Sequence, residues 1–198
     1  MQYKITPPTH IEDTIQLPAS KSISNRALII HALAGGNIMP ENLSTCDDTA
    51  VIARAFKDNP YEIDIMAAGT AMRFMTAYLS VTEGEHVLTG TERMKQRPIK
   101  ILVDALRSLG ADIQYVGEEG FPPLRIKGKR LTGGSIEVAG NVSSQYVSAL
   151  LMIGPTLEKG LELKLLGNVI SRPYIDLTLN VMHEYGADAE WTDIDTIT

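Results

Sequence analysis

RPIKILVDALRSLGADIQY (residues 97–115) and RPYIDLTLNVMHEYGADAEW (residues 172–191) are two copies of one pattern. Each opens on Arg-Pro and runs on with apolar residues three and four apart. Each then closes on Gly-Ala-Asp ahead of a strand-like stretch. The Gly supplies the left-handed residue that ends a helix, and the Pro suits a first helical turn. Upstream of each copy lies another helix-like run with a polar start: AAGTAMRFMTAYL (67–79) and NVSSQYVSALLM (141–152). LPASKSISNRALIIHALAGG (17–36), followed by TCDDTAVIARAFKDNP (45–60), gives a third, shorter version of the same order. Landmarks recurring in register imply a repeat architecture. The repeats are placed at about 18–66, 67–134 and 135–198.

Apolar periodicity fills in the elements. Helices are expected at 22–34, 47–57, 70–82, 98–109, 144–153 and 172–185. Strands are expected at 13–17, 37–43, 62–66, 86–90, 112–116, 124–127, 135–138, 161–166 and 187–191. Gly35-Gly36, Gly110 and Gly186 read as helix stops, and Pro98 and Pro173 as first-turn residues. The fold class is therefore α/β. The third repeat stops at WTDIDTIT, one strand short of the hairpin that closes the second.

The bulk numbers narrow the function classes. The chain has 198 residues, 44% of them hydrophobic, and a net charge of −6. Such a chain can bury a core, and its negative balance argues against nucleic-acid or anionic-membrane partners. No apolar run approaches the ~18 residues of a membrane span. A single cysteine, Cys46, excludes an internal disulfide and fits a reducing, cytoplasmic setting. His10, His31, His86 and His183 have no ligand spacing, so no metal site is expected.

The first helix of each repeat begins with a cluster of donors. These are Ser20-Lys21-Ser22-Ile23-Ser24-Asn25-Arg26, Gly69-Thr70-Ala71-Met72-Arg73 and Ser143-Ser144-Gln145. Helix starts carry unsatisfied N–H groups and partial positive charge, and hydroxyls or cations added there make an anion site. Ser22 and Arg26 share a helical face, and Gly69 lets a ligand come close to the backbone. Serine and threonine in such places are ordinarily caps worth ~1 kcal/mol each. Three clusters at equivalent repeat positions, two of them with cations, point beyond capping. Arg97 and Arg172 both stand just before a helix, where the dipole disfavours a cation. Arg172 is equally compatible with a scaffold role.

With these strings in view, the sequence resembles the 5-enolpyruvylshikimate-3-phosphate synthase family. The family's motifs stand here as LPASKSISNRALIIHALA, AAGTAMRF, LTGTERMKQRPI, VSSQYVSALLM and SRPYIDLTL, in family order. The resemblance covers the whole chain but only about the first half of a family member. It implies a two-lobed fold of βαβαββ units with helices inside and sheets outside. Residues 18–198 would form most of one lobe, and residues 1–17 the first strand of the other.

It also implies the reaction. The enolpyruvyl group of phosphoenolpyruvate moves to the 5-hydroxyl of shikimate 3-phosphate, with phosphate released. This is a step of aromatic amino acid biosynthesis that uses no metal or organic cofactor. By the resemblance, Ser22 and Arg26 hold the shikimate carboxylate. Ser143, Ser144 and Ser171 bind the 3-phosphate, with Tyr174 lining that pocket. Lys21, Gly69, Arg97 and Gln145 engage phosphoenolpyruvate, and Lys21 and Gln145 also border shikimate 3-phosphate. Lys21 is the expected catalytic residue. The missing C-terminal half would be its partner in a cytoplasmic monomer, and this chain alone would not turn over.

Two departures stand out. Ala67 replaces the family's asparagine and Phe74 its proline, which is expected to alter the Gly69 loop and the response to glyphosate, a phosphoenolpyruvate-site inhibitor. The alternatives are a non-catalytic anion-binding module and a relative of UDP-N-acetylglucosamine enolpyruvyl transferase. The Ser-Lys-Ser-x-Ser-Asn-Arg string speaks against the second, and no P-loop string occurs.

Overall fold

The computed structural model describes residues 2–198. Residues 2–20 are largely exposed and contain no helix or strand. Helices α1 (Lys21–Leu33) and α2 (Asp47–Asp58) follow, then β1 (Glu62–Asp64), α3 (Gly69–Val81) and β2 (Gly84–Thr89). A short α4 (Glu92–Lys95) leads to α5 (Lys100–Ser108), β3 (Asp112–Tyr115) and β4 (Leu124–Gly128). Then come β5 (Gly134–Ala139), α6 (Ser144–Ile153), a 3-10 turn (Gly154–Thr156), β6 (Leu161–Leu166), α7 (Arg172–Glu184) and β7 (Thr196–Ile197).

Two sheets form, with one topology. In the first, β1 runs parallel to β2, which is antiparallel to β4, and β3 closes the hairpin: order β1-β2-β4-β3. In the second, β5 runs parallel to β6, and β6 is antiparallel to β7. Trp191 bridges Ile197 where β3 pairs with β4 in the first sheet. Both units are therefore βαβαββ.

This corrects two sequence expectations. The second unit starts with β1, so it runs from about 62 rather than 67, because the strand at 62–64 pairs forward with β2. The third unit does not lack its closing hairpin, which is present in short form at Trp191 and Thr196–Ile197. Three expected strands do not form. Residues 13–17 and 37–43 have no ladder partner among the described residues, and 187–191 is reduced to the Trp191 bridge. Pro98 lies ahead of α5 rather than in its first turn, whereas Pro173 does sit in the first turn of α7.

The burial pattern follows from the strand period of two. In β4, Leu124, Ile126 and Gly128 face inward while Arg125 and Lys127 face out. In β6, Leu161, Leu163 and Leu165 face inward while Glu162 and Lys164 face out. The sheets are the outer layers and the helices the inner one. Helix α3 is enclosed almost all round, with every residue from Gly69 to Ala77 buried. Of its buried polar side chains, Thr76 donates to the Met72 carbonyl, Ser80 to that of Thr76 and Arg73 to that of Gly69. Leu28 and Ile29 of α1, Phe74 and Met75 of α3, Leu150 and Ile153 of α6 and Leu179 of α7 belong to one cluster. At the helix exits, Gly110 and Gly186 take φ values of +100° and +80°, as their predicted role as stops requires.

Candidate anion site at the helix starts

The helix starts are held to one another by specific bonds. Gln145 of α6 donates its side-chain amide to Thr70 Oγ1 of α3 at 3.3 Å. Tyr146, the next residue, donates its hydroxyl to the Pro98 carbonyl at 2.8 Å. Arg97 lies so close to Gly69 that a Cβ there would collide with its guanidinium. The absence of a side chain at Gly69 thus admits an arginine as well as a ligand. Ala67, Arg93, Met94 and Arg97 line a cavity of about 430 Å³ beside this start. Among the described residues, no carboxylate lies within ion-pair distance of Arg73, Arg93 or Arg97. Arg93 and Arg97, which line this cavity without a counter-ion, favour an anionic ligand.

The α1 start joins the α6–α7 pair through Arg26. The sequence reading aims Arg26 outward at an anion; the structure turns it inward, leaving it 3% exposed. Its Nε donates to Thr178 Oγ1 at 2.7 Å and its Nη2 to Ser148 Oγ at 2.8 Å. Its Nη1 donates to the Ser22 carbonyl at 2.8 Å, and Nη2 reaches the Tyr174 carbonyl at 3.4 Å. Ser148 and Thr178 also bond each other at 2.8 Å. The Phe74 ring centroid lies 5.3 Å from the guanidinium carbon, so this ring packs against the arginine fork. Burial pushes the Arg26 pKa down to about 10, partly offset by Tyr174, which leaves it a cation at neutral pH.

The other expected residues stand as follows. Lys21 is 49% exposed at the first position of α1, with its Nζ 3.5 Å from Asp48 Oδ1 at the start of α2. Ser22 is half-buried one residue on. Ser143 caps α6, accepting from the Gln145 N–H at 3.3 Å, and Ser144 opens the helix. Ser171 precedes α7 with a left-handed φ of +56° and makes no capping bond. Tyr174 is half exposed in the first turn of α7. Arg172 is scaffold: it lies 3.8 Å over the Trp191 ring and donates to the Ile194 carbonyl at 3.0 Å.

Sequence reasoning gave Arg73 no role of its own. It is 6% exposed, one turn below Gly69, and donates Nη1 to the Gly69 carbonyl at 2.9 Å. The signal was its i, i+4 spacing from Gly69. Ser148 and Thr178 were missed too, although a hydroxyl on an otherwise apolar helix face calls for a buried partner.

A family model described as EPSP synthase (3-phosphoshikimate 1-carboxyvinyltransferase) matches residues 5–58 and 53–197. The chain belongs to the EPSP synthase family. It is 65% identical over 192 residues to a 3-phosphoshikimate 1-carboxyvinyltransferase of Bacteroides fragilis, an alignment covering 97% of this chain and 47% of that protein. A 3-phosphoshikimate 1-carboxyvinyltransferase of Mannheimia succiniciproducens is 41% identical over 217 residues, covering 94% of this chain and 50% of the relative. Among solved structures, EPSP synthase from Acinetobacter baumannii superposes with a TM-score of 0.77 at 23% identity. That superposition covers 92% of this chain and 46% of the other, and it supports the fold: one lobe of the EPSP synthase architecture. The chain spans about half the length of the curated relatives it matches.

Proposed function

We propose that this chain is one wall of an enolpyruvyl transferase site acting on phosphoenolpyruvate and shikimate 3-phosphate. The observation that carries the reading is the meeting of donor-rich helix starts around arginines that have no carboxylate partner. Two polyanions can be brought together only where fixed positive charge offsets their repulsion.

In this reading the shikimate 5-hydroxyl gives up its proton as its oxygen bonds to C2 of phosphoenolpyruvate, and C3 takes up a proton to become a methyl group. The tetrahedral intermediate then loses one methyl proton and expels phosphate, leaving the enol ether. Lys21 Nζ sits at the start of α1 as the group that moves a proton and stabilises developing charge. The Gly69 N–H, Arg97 and Gln145 hold phosphoenolpyruvate. Ser143, Ser144 and Ser171 hold the 3-phosphate beside Tyr174, with Lys21 and Gln145 bordering both substrates. Ser22 and the neighbouring edge of Arg26 meet the shikimate carboxylate. The longest of the Arg26 bonds, 3.4 Å to the Tyr174 carbonyl, is the one that yields.

The facing wall belongs to a second lobe of an intact, monomeric cytoplasmic enzyme. Residues 1–17 start that lobe: Tyr3 with Ile5, and Ile15 with Leu17, show the strand period and are exposed here. No helix among the described residues is long and apolar enough to cross a membrane.

Calorimetry on the 198-residue chain tests the reading. It should bind shikimate 3-phosphate weakly and release no phosphate when phosphoenolpyruvate is added. Turnover by the chain alone would refute the half-site assignment. Tighter binding of an unrelated phosphosugar would instead favour an anion-binding module.

A further inference from the structure

We infer that Arg73 is a positioning residue that locks the Gly69 and Arg97 walls of the phosphoenolpyruvate pocket to each other, an inference resting on the reading of that pocket above. The two walls come from separate segments, the start of α3 and the turn between α4 and α5. One side chain spans them. Arg73 donates Nη1 to the Gly69 carbonyl at 2.9 Å and Nη2 to the Pro98 carbonyl, at the end of the Arg97-Pro98 turn, at 3.5 Å. A third element closes the clamp: Tyr146 of α6 donates its hydroxyl to the same Pro98 carbonyl at 2.8 Å. The Tyr146 ring lies 5.8 Å from the Arg73 guanidinium carbon.

The choice of residue argues for position over packing. A buried cation is a poor way to stabilise a core, since an apolar residue of similar volume avoids its desolvation. Burial and the nearby Arg97 charge both lower the Arg73 pKa, Tyr146 opposing them. Its Nε is buried with no hydrogen-bond partner. What an arginine supplies is a rigid planar fork that holds two carbonyls on separate segments at a fixed spacing, whereas lysine offers a compact ammonium on a flexible stem. The arrangement therefore ties the first turn of α3, at the Gly69 carbonyl, to the Arg97-Pro98 turn, without Arg73 touching substrate.

The test is steady-state kinetics on the protein of family length that carries these residues. Arg73→Lys should raise KM for phosphoenolpyruvate about tenfold, with KM for shikimate 3-phosphate held within about twofold and kcat reduced less than KM rises. Tyr146→Phe keeps the ring, removes one clamp bond, and should raise the same KM about threefold. Should Arg73→Lys fail to fold, Tyr146→Phe decides alone. An unchanged phosphoenolpyruvate KM in Tyr146→Phe, or a parallel rise in both KM values with a lower melting temperature, overturns the positioning role. An unmodified protein that does not use phosphoenolpyruvate overturns both this role and the site reading beneath it. A normal wild type with insensitive variants overturns this role alone.

Discussion

Thr178→Val tests the buried network around Arg26. Valine matches threonine in shape, so the substitution removes one hydroxyl and leaves the packing. That hydroxyl accepts from Arg26 Nε at 2.7 Å, pairs with Ser148 at 2.8 Å and donates to the Tyr174 carbonyl at 2.8 Å. Leaving a buried charged donor unpaired costs about 1.5–3 kcal/mol. Ser148 keeps its bond from Arg26 Nη2 and loses only its second partner. The added methyl returns less than ~1 kcal/mol of apolar burial. The expected loss is about 1–2.5 kcal/mol, a melting shift of roughly 2–10 °C for a domain of this size. Urea unfolding followed by circular dichroism measures it, with Thr178→Ser as control. Serine keeps the hydroxyl and should cost ~1 kcal/mol.

The loss should also be flat from pH 6 to 9. The Arg26 pKa is lowered, so its burial penalty is fully present below about 10 and lifts only as pH rises beyond that. A Thr178→Val loss below about 0.5 kcal/mol, or a Thr178→Ser loss equal to it, would refute the hydrogen-bond account.

Two further outcomes are expected. Phe74→Pro introduces the residue that the resemblance implies at this position, but it removes a fully buried ring from beside Arg26 and a helical N–H. It should destabilise this chain by about 3 kcal/mol or more and change the glyphosate inhibition constant of the family-length protein; equal constants would sink the link between position 74 and the Gly69 loop. On the surface, Lys100 bonds Glu119 at 2.8 Å and holds its carboxyl below the usual 4.5. The stability this contributes is present above pH 4.5 and lost as pH falls through the depressed value, so Glu119→Gln should make the acid limb of the stability curve shallower, and parallel limbs would refute it.

The sequence disclosed the helices far better than the sheets, for physical reasons. Helix α1 carries its own start at Ser20 and its own stop at Gly35, and α7 carries Pro173 and Gly186, so local chemistry marks their ends. A strand needs a partner elsewhere in the chain. The run at 37–43 has the right composition and no partner here, while Thr196–Ile197 lies in a polar tail and pairs anyway. The boundary at residue 67 was misplaced because β1 belongs by pairing to the chain that follows it. The helix-start positions of Gly69 and Ser143 were legible, and the structure adds that Arg97 lies against Gly69. The inward turn of Arg26 was not, because it depends on Ser148 and Thr178, more than a hundred residues away in sequence.

Met66 and Ser171 hold left-handed φ values of +55° and +56° just ahead of α3 and α7. For a residue with a Cβ, that conformation costs roughly 1–2 kcal/mol, which glycine would avoid. The strain thus falls close to two of the helix starts assigned to the proposed site. A glycine would relieve it but leave the loop backbone more freedom. Keeping a side chain at each position trades global stability for a backbone already set before any ligand arrives, which lowers the ordering entropy that binding would otherwise cost.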